Sequence, residues 1–414
     1  MPGPTVRSSL KTFSTRPGIR AAWFFLCALV LATFAGSPNY QHGAEPLAGP
    51  YGGDFLQEWL GGWVVLHGDP ARFYDVTYAR ELQHDPALVG FAFDESRYLP
   101  LVYPPFYYVL VSPMALVSYD VAVWIWAGLM TAVFMAAVGL LVKGCDDKSS
   151  PWVIAACAMF APALENLNSG QKGAVCLLIL VATYRLLRAE RSFSAGLVFG
   201  LLAFKPQLAV VIGLGLMLRG NGRFACGAAV TVATLVAVCL ALGTDVCGQY
   251  MTFARGAAEY LQTAGYDLSK SHAWFGACTL LFGPGLPAKL ATAGACCLSL
   301  GIALLGRSTE WRPSGEDFPR RFAGLMLAGL LCSPHLYTYD LTILLLPIAL
   351  AVSDRRLIVF AVAAFVAAGI APAIAATTSI AVMPWILMAW LIALTRPAAP
   401  CGVAVASTPS ATSH

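Results

Sequence analysis

Apolar residues run along this chain in blocks, separated by short polar breaks or breaks bearing glycine and proline. The blocks lie near residues 19–36, 104–118, 121–142, 151–164, 173–187, 193–204, 207–218, 224–243, 287–305, 322–333, 338–353, 357–376 and 380–395. A helix needs about 20 predominantly apolar residues to cross a bilayer, and fewer when it is packed inside a bundle. Several blocks are shorter than that, as expected of a bundle with re-entrant or broken helices. The pattern predicts an all-α polytopic membrane protein with about 11–13 transmembrane helices. Block 104–118 carries Pro113 and is expected to dip into the membrane or lie in its interface instead of crossing. No internal repeat is visible.

Composition agrees. The 414 residues are 58% apolar and 12% charged, with mean hydropathy +0.69, whereas soluble domains carry roughly 25% charged residues. A net charge of +4 does not point to nucleic acid. The position of the charges is more informative. With 104–118 discounted, Arg7, Lys11, Arg16 and Arg20 fall on one side together with Lys143/Lys148, Arg185/Arg188/Arg191 and Arg219/Arg223. Arg307/Arg312/Arg320/Arg321, Arg355/Arg356 and Arg396 join them. The positive-inside rule assigns that side, and both termini, to the cytoplasm of a multi-pass cell-membrane protein. The basic tail and the apolar run Ala21–Ala35 look like a signal peptide. No small-residue cleavage site with a soluble domain follows, so an uncleaved anchor is expected. The expected division is a cytoplasmic tail at 1–18, a membrane domain at 19–396 and a disordered tail at 397–414.

Five polar segments then fall outside: the first loop (37–103), Asn166–Lys172, Lys205-Pro206-Gln207, residues 244–272 and Ser333–Asp340. In the first loop acidic residues outnumber Arg72, Arg80 and Arg97, and Trp59, Trp63, Tyr74, Tyr78, Tyr98 and Tyr103 suit an interfacial belt. Phe55, Leu56, Trp59, Leu60, Trp63 and Val64 recur at helical spacing. They predict an amphipathic helix on the outer leaflet, with Asp54 at its N-cap and Glu58 one turn on.

An ionisable group at membrane depth is costly and is a functional candidate by default. Asp54, after Gly52-Gly53, has two compatible readings: a helix N-cap, and a general base toward a hydroxyl. Tyr103-Pro104-Pro105 reads as an extended turn that starts a helix, with Tyr103 able to line a site. Asn168-Ser169-Gly170-Gln171-Lys172 is either a plain loop or a hydroxyl- or phosphate-binding cluster. Lys205 sits at a proline break between two apolar halves and needs an anionic partner or water, unless it snorkels to headgroups. Ser333-Pro334-His335, with Tyr337, Tyr339 and Asp340, could neutralise a phosphate or protonate a leaving group. The twelve cysteines show no metal-ligand spacing and no DxD motif is present, so neither a zinc site nor a metal is expected.

Gly53-Asp54-Phe55, Gly68-Asp69-Pro70, Phe73-Tyr74-Asp75 and Tyr103-Pro104-Pro105 occur in that order. They are followed by Gly170-Gln171, Ala195-Gly196-Leu197 through Lys205-Pro206, and Ser333-Pro334-His335. Together they resemble glycosyltransferase family 87 over about residues 50 to 350. That resemblance implies a GT-C type membrane glycosyltransferase that moves a hexose, typically mannose, from a polyprenyl-phosphate sugar to a glycan or glycolipid hydroxyl. The site would be extracytoplasmic and need no cofactor beyond the donor. Asp54 would act as base in an inverting displacement, and His335 would assist catalysis. Lys205, His335 and Lys172 would face the donor phosphate. Glu58, Tyr103, Gln171, Gln207 and Tyr339 would contact substrate. Lys172 departs from the family pattern, in which Asn or a small residue often follows Gly-Gln. Three rivals remain: a transporter or flippase of lipid-linked sugars, a ligase of longer glycans, and an inactive scaffold. A transporter calls for polar sites reaching both membrane faces; the polar clusters here gather on one.

Overall fold

The computed structural model describes residues 17–41, 50–93, 97–143, 149–219, 221–263, 267–305, 311–352, 354 and 356–395. Arg7, Lys11, Arg16, Lys148, Arg307, Arg355, Arg396 and nearly all of both tails lie outside the described residues. Among the described residues every regular element is helical. Five helices are long and apolar enough to cross a membrane: Pro17–Gly36, Tyr119–Val142, Gly222–Leu242, Leu286–Leu305 and Ile358–Thr378. The chain is thus an all-α polytopic membrane protein. Shorter apolar helices pack between the long ones, among them Ser150–Met159, Pro206–Leu218 and Met383–Leu394.

Burial separates the periphery from the centre. Only 11% and 17% of the apolar stretches of Gly222–Leu242 and Leu286–Leu305 are buried in protein, which leaves apolar faces suited to lipid. In Phe318–Leu331, by contrast, Phe318 and every residue from Phe322 to Leu331 are buried. The most extensive contact between described helices joins Ser192–Gly200 to Gly222–Leu242. Small residues allow it: a Cβ on Gly196 would lie 2.0 Å from the Phe224 carbonyl oxygen, and one on Gly227 2.1 Å from that of Phe193.

The short helices run between two polar ends. At one end Arg188 donates to the carbonyls of Pro313 (2.9 Å) and Gly315 (2.7 Å). Arg219 and Arg321 sit over the Trp311 ring at 5.3 and 5.7 Å, and Arg320 pairs with Asp354. Helices Gly173–Arg188, Pro206–Leu218 and Phe318–Leu331 each span from this basic end to the other, where Lys172, Lys205 and His335 lie, the first two running toward the basic end and the third away from it.

One expectation for the first loop needs correction, and the following block agrees with a segment that does not cross. Phe55–His67 is helical, but every residue from Phe55 to Gly62 is buried, so it does not lie on a lipid surface. Its apolar stripe is covered by Pro105–Val111, Ser112–Leu116 and Tyr119–Val142. Residues 105–116 form two short pieces meeting at Ser112-Pro113, about 20 Å of helix and too short to cross. Phe106, Tyr107, Tyr108 and Val111 are buried while Leu110 and Leu116 are exposed, so the segment packs one face on protein and leaves the other open.

Candidate active site

The polar end is built on two interlocked glycine turns. Gly52 and Gly53 have φ of +77° and +64°, and Gly170 has φ of +65°, a region that L side chains rarely enter. A Cβ on Gly53 would sit 2.6 Å from the Ser169 carbonyl oxygen, and one on Gly170 2.6 Å from that of Gly52. The turns therefore require glycine on both sides. The Asp54 amide donates to Ser169 O (2.9 Å), and the Trp126 indole donates to Gly170 O (2.8 Å). This docking sets the Asp54 and Gln171 side chains against each other.

Comparison within one loop separates Asp54 from its neighbours. Asp69, Asp75 and Asp85 each cap a short helix, accepting from the amides of Ala71, Thr77 and Ala87. Asp54 occupies the N-cap position of Phe55–His67 yet makes no side-chain cap bond. The capping reading thus holds for three aspartates and not for Asp54. Its Oδ2 instead accepts from Gln171 Nε2, and no donor among the described residues reaches Oδ1. Asp54 is enclosed by protein while keeping partial accessibility. Burial pushes its carboxyl above the usual range, while the Gln171 hydrogen bond and the charges of Lys172 and Lys205 pull it back.

Two buried ion pairs flank it. Lys172 pairs with Glu58, and both side chains are at most 1% exposed. The Lys172 ammonium lies 4.0 Å from the centroid of the Tyr103 ring and 5.5 Å from that of Tyr107. Lys205 pairs with Asp340, whose second oxygen accepts from the Tyr337 amide (3.3 Å). Lys205 takes its place because Pro206 starts the next helix and forces extended backbone before it (φ −121°, ψ 70°).

A cavity of about 270 Å³ opens beside the second pair, near the lower end of small-molecule sites (roughly 300–1,000 Å³). Its polar lining comes from Tyr103, Lys205, Gln207, His335 and Tyr339. Val102, Phe204, Pro206 and Pro334 add apolar surface, as do Tyr250 and Phe253 of helix Thr244–Thr263. His335 Nε2 lies 3.3 Å from the Tyr339 hydroxyl, and the Ser333 hydroxyl donates to His335 O (2.6 Å). Burial holds the imidazole below its usual pKa, Asp340 opposes that and Lys205 reinforces it, so the ring is neutral at neutral pH. Among the described residues no group of three or more His, Cys, Asp or Glu is arranged to hold a metal ion.

All five polar segments named from the sequence meet here. Tyr103, Lys205, Gln207, His335 and Tyr339 line the cavity. Asp54, Glu58, Gln171 and Lys172 do not; they form an adjoining cluster, with Asp54 close enough to feel the charges of Lys172, Lys205 and Asp340. Asp340 had no assigned role in the sequence, although a demand for an anion beside Lys205 pointed toward it. The aromatic wall from Phe204, Tyr250 and Phe253 carried no sequence signal, being apolar among apolar residues.

Comparison with known proteins gives two matches. The profile described as Glycosyltransferase family 87 matches residues 101–334. A Mycolicibacterium smegmatis protein named polyprenol-phosphate-mannose-dependent alpha-(1-2)-phosphatidylinositol pentamannoside mannosyltransferase is 26% identical over 305 residues, covering 70% of this chain and 67% of the relative. No solved structure matches.

Proposed function

The chain belongs to glycosyltransferase family 87, and from that premise we propose that this membrane glycosyltransferase moves mannose from a polyprenyl-phosphate donor to an acceptor hydroxyl at its polar end. That end is taken as extracytoplasmic, because the opposite end collects Arg188, Arg219, Arg320 and Arg321. The observation that carries the reading is Asp54: one carboxylate oxygen held by Gln171, the other met by no donor among the described residues, beside a cavity whose polar wall includes Lys205 and His335. The donor follows from the name of the relative and from a wall that pairs apolar and aromatic surface with a cation.

The reaction is a single displacement. The acceptor oxygen attacks the anomeric carbon, its proton passes to Asp54 Oδ1, and the bond from that carbon to the phosphate oxygen breaks. One in-line attack inverts the configuration at that carbon. The donor is a phosphodiester with one negative charge, and the departing polyprenyl phosphate gains a second. Lys205 and an N–H of His335 are placed to stabilise that growing charge, a stronger effect in the transition state than in the ground state. Lys205 is already neutralised by Asp340, so the phosphate must share its ammonium and does not find an unpaired cation. Gln207, Tyr103 and Tyr339 are the cavity groups available to sugar hydroxyls. The mechanism invokes no resident cofactor.

The donor class is tested with purified protein in lipid, supplied in turn with polyprenyl-phosphate mannose and with a nucleotide mannose. Transfer from the lipid donor alone is expected. Transfer from the nucleotide donor alone would overturn the assignment.

A further inference from the structure

Asp54 and Glu58 stand one helical turn apart, and Gln171 and Lys172 are consecutive. The two segments are joined by adjacent side-chain links, Gln171 to Asp54 and Lys172 to Glu58. The second link is sealed: both of its side chains are at most 1% exposed, Tyr103 and Tyr107 lie over the ammonium, and neither partner lines the cavity. The Glu58 carboxylate faces the buried Tyr107 hydroxyl, which closes the pair off further. A phosphate could reach Lys172 only by displacing the tyrosine wall and leaving Glu58 alone.

We propose that the Glu58–Lys172 pair is a positioning device that holds the Asp54 carboxylate on Gln171 and fixes the Lys172 charge near it, and is not part of the donor-phosphate site. The inference rests on the reading of Asp54 as the base and deepens it. Lys172 is the cation acting most strongly on Asp54, ahead of Lys205. The other ionisable groups whose charges reach Asp54 are Asp340, Glu58, Glu165, Tyr103, Tyr119 and Tyr339. The carboxylates among them oppose its ionisation, and the tyrosines are neutral in the working pH range. Removing Lys172 therefore makes Asp54 harder to ionise, whereas removing the Glu58 charge turns the ammonium toward Asp54 and makes it easier.

The test is the pH dependence of turnover, with donor KM, for reconstituted Lys172→Gln and Glu58→Gln proteins. The acid limb is expected to move up by about one pH unit in Lys172→Gln and not to move up in Glu58→Gln, with donor KM held within about two-fold in both. A purely structural role would lower turnover equally at every pH. The proposal is overturned by an unmoved acid limb, or by a donor KM raised ten-fold or more in Lys172→Gln, which would make Lys172 a phosphate ligand. Should either single variant fail to accumulate, Glu58→Gln/Lys172→Gln keeps the volume without the charges, and a smaller upward shift is expected, because loss of the Glu58 charge partly offsets loss of the ammonium. Asp54→Asn, run in parallel, separates the two readings: if it remains active, the base assignment fails whatever Lys172 does.

Discussion

At the scale of single residues, the site is organised by which polar atoms are already engaged. Asp54 differs from Asp69, Asp75 and Asp85 because its side chain turns away from its own helix toward Gln171. The Lys205–Asp340 pair has a second logic. Breaking a buried pair by removing one partner strands the other charge, at a cost of about 3–5 kcal/mol, whereas removing both charges costs far less. Lys205→Met is therefore expected to lower the thermal midpoint in detergent sharply, and adding Asp340→Asn should recover most of that loss. Turnover should stay down about 100- to 1,000-fold in the double variant, because the cation facing the leaving phosphate is gone. A stable double variant with wild-type turnover would remove Lys205 from the mechanism.

At the scale of elements, the site depends on loops that fix one another. The segment before helix Trp274–Phe282 is tied to the stretch carrying His335 and Asp340: the His272 amide donates to Leu336 O (2.9 Å), and its Nε2 lies 3.0 Å from the Thr338 hydroxyl. Burial pushes the His272 imidazole down to about 4 from its ordinary 6.5. Above pH 6.5 the ring is neutral in both folded and unfolded chains. As pH falls from 6.5 toward 4, the unfolded chain binds a proton that the folded one refuses, so stability is lost across that window. His272→Gln is expected to flatten the decline of the thermal midpoint over the same range, and an unchanged decline would contradict the assignment. At this scale the sequence was only partly informative. The helical spacing of Phe55, Leu56, Trp59, Leu60, Trp63 and Val64 disclosed the helix but not what covers it. Buried Gln57 and Glu58 read as a polar face, because their cover, Lys172 included, comes from distant segments. The break at Lys205-Pro206 was legible since proline constrains its neighbour locally. The identity of the partner to Lys205 was not, because that contact spans 135 residues.

At the scale of the whole molecule, the chain separates two chemistries along its helices. Arg188, Arg219, Arg320 and Arg321 gather at one end; the carboxylates, lysines and histidine of the site gather at the other. This polarity was readable from charge placement alone, since basic loops recur with the parity of the crossings. How deeply the polar segments interlock was not readable, because the reciprocal approach of Gly53 to Ser169 and of Gly170 to Gly52 is a tertiary contact between turns that look ordinary in isolation. The central claim is that the carboxylate held in that interlock takes the acceptor proton. It is tested most directly by Asp54→Asn, which keeps size and hydrogen-bonding capacity and removes the base. Sugar transfer from a polyprenyl-phosphate donor should fall at least 100-fold at saturating substrate, with donor binding unchanged; transfer at the unmutated rate would contradict the account.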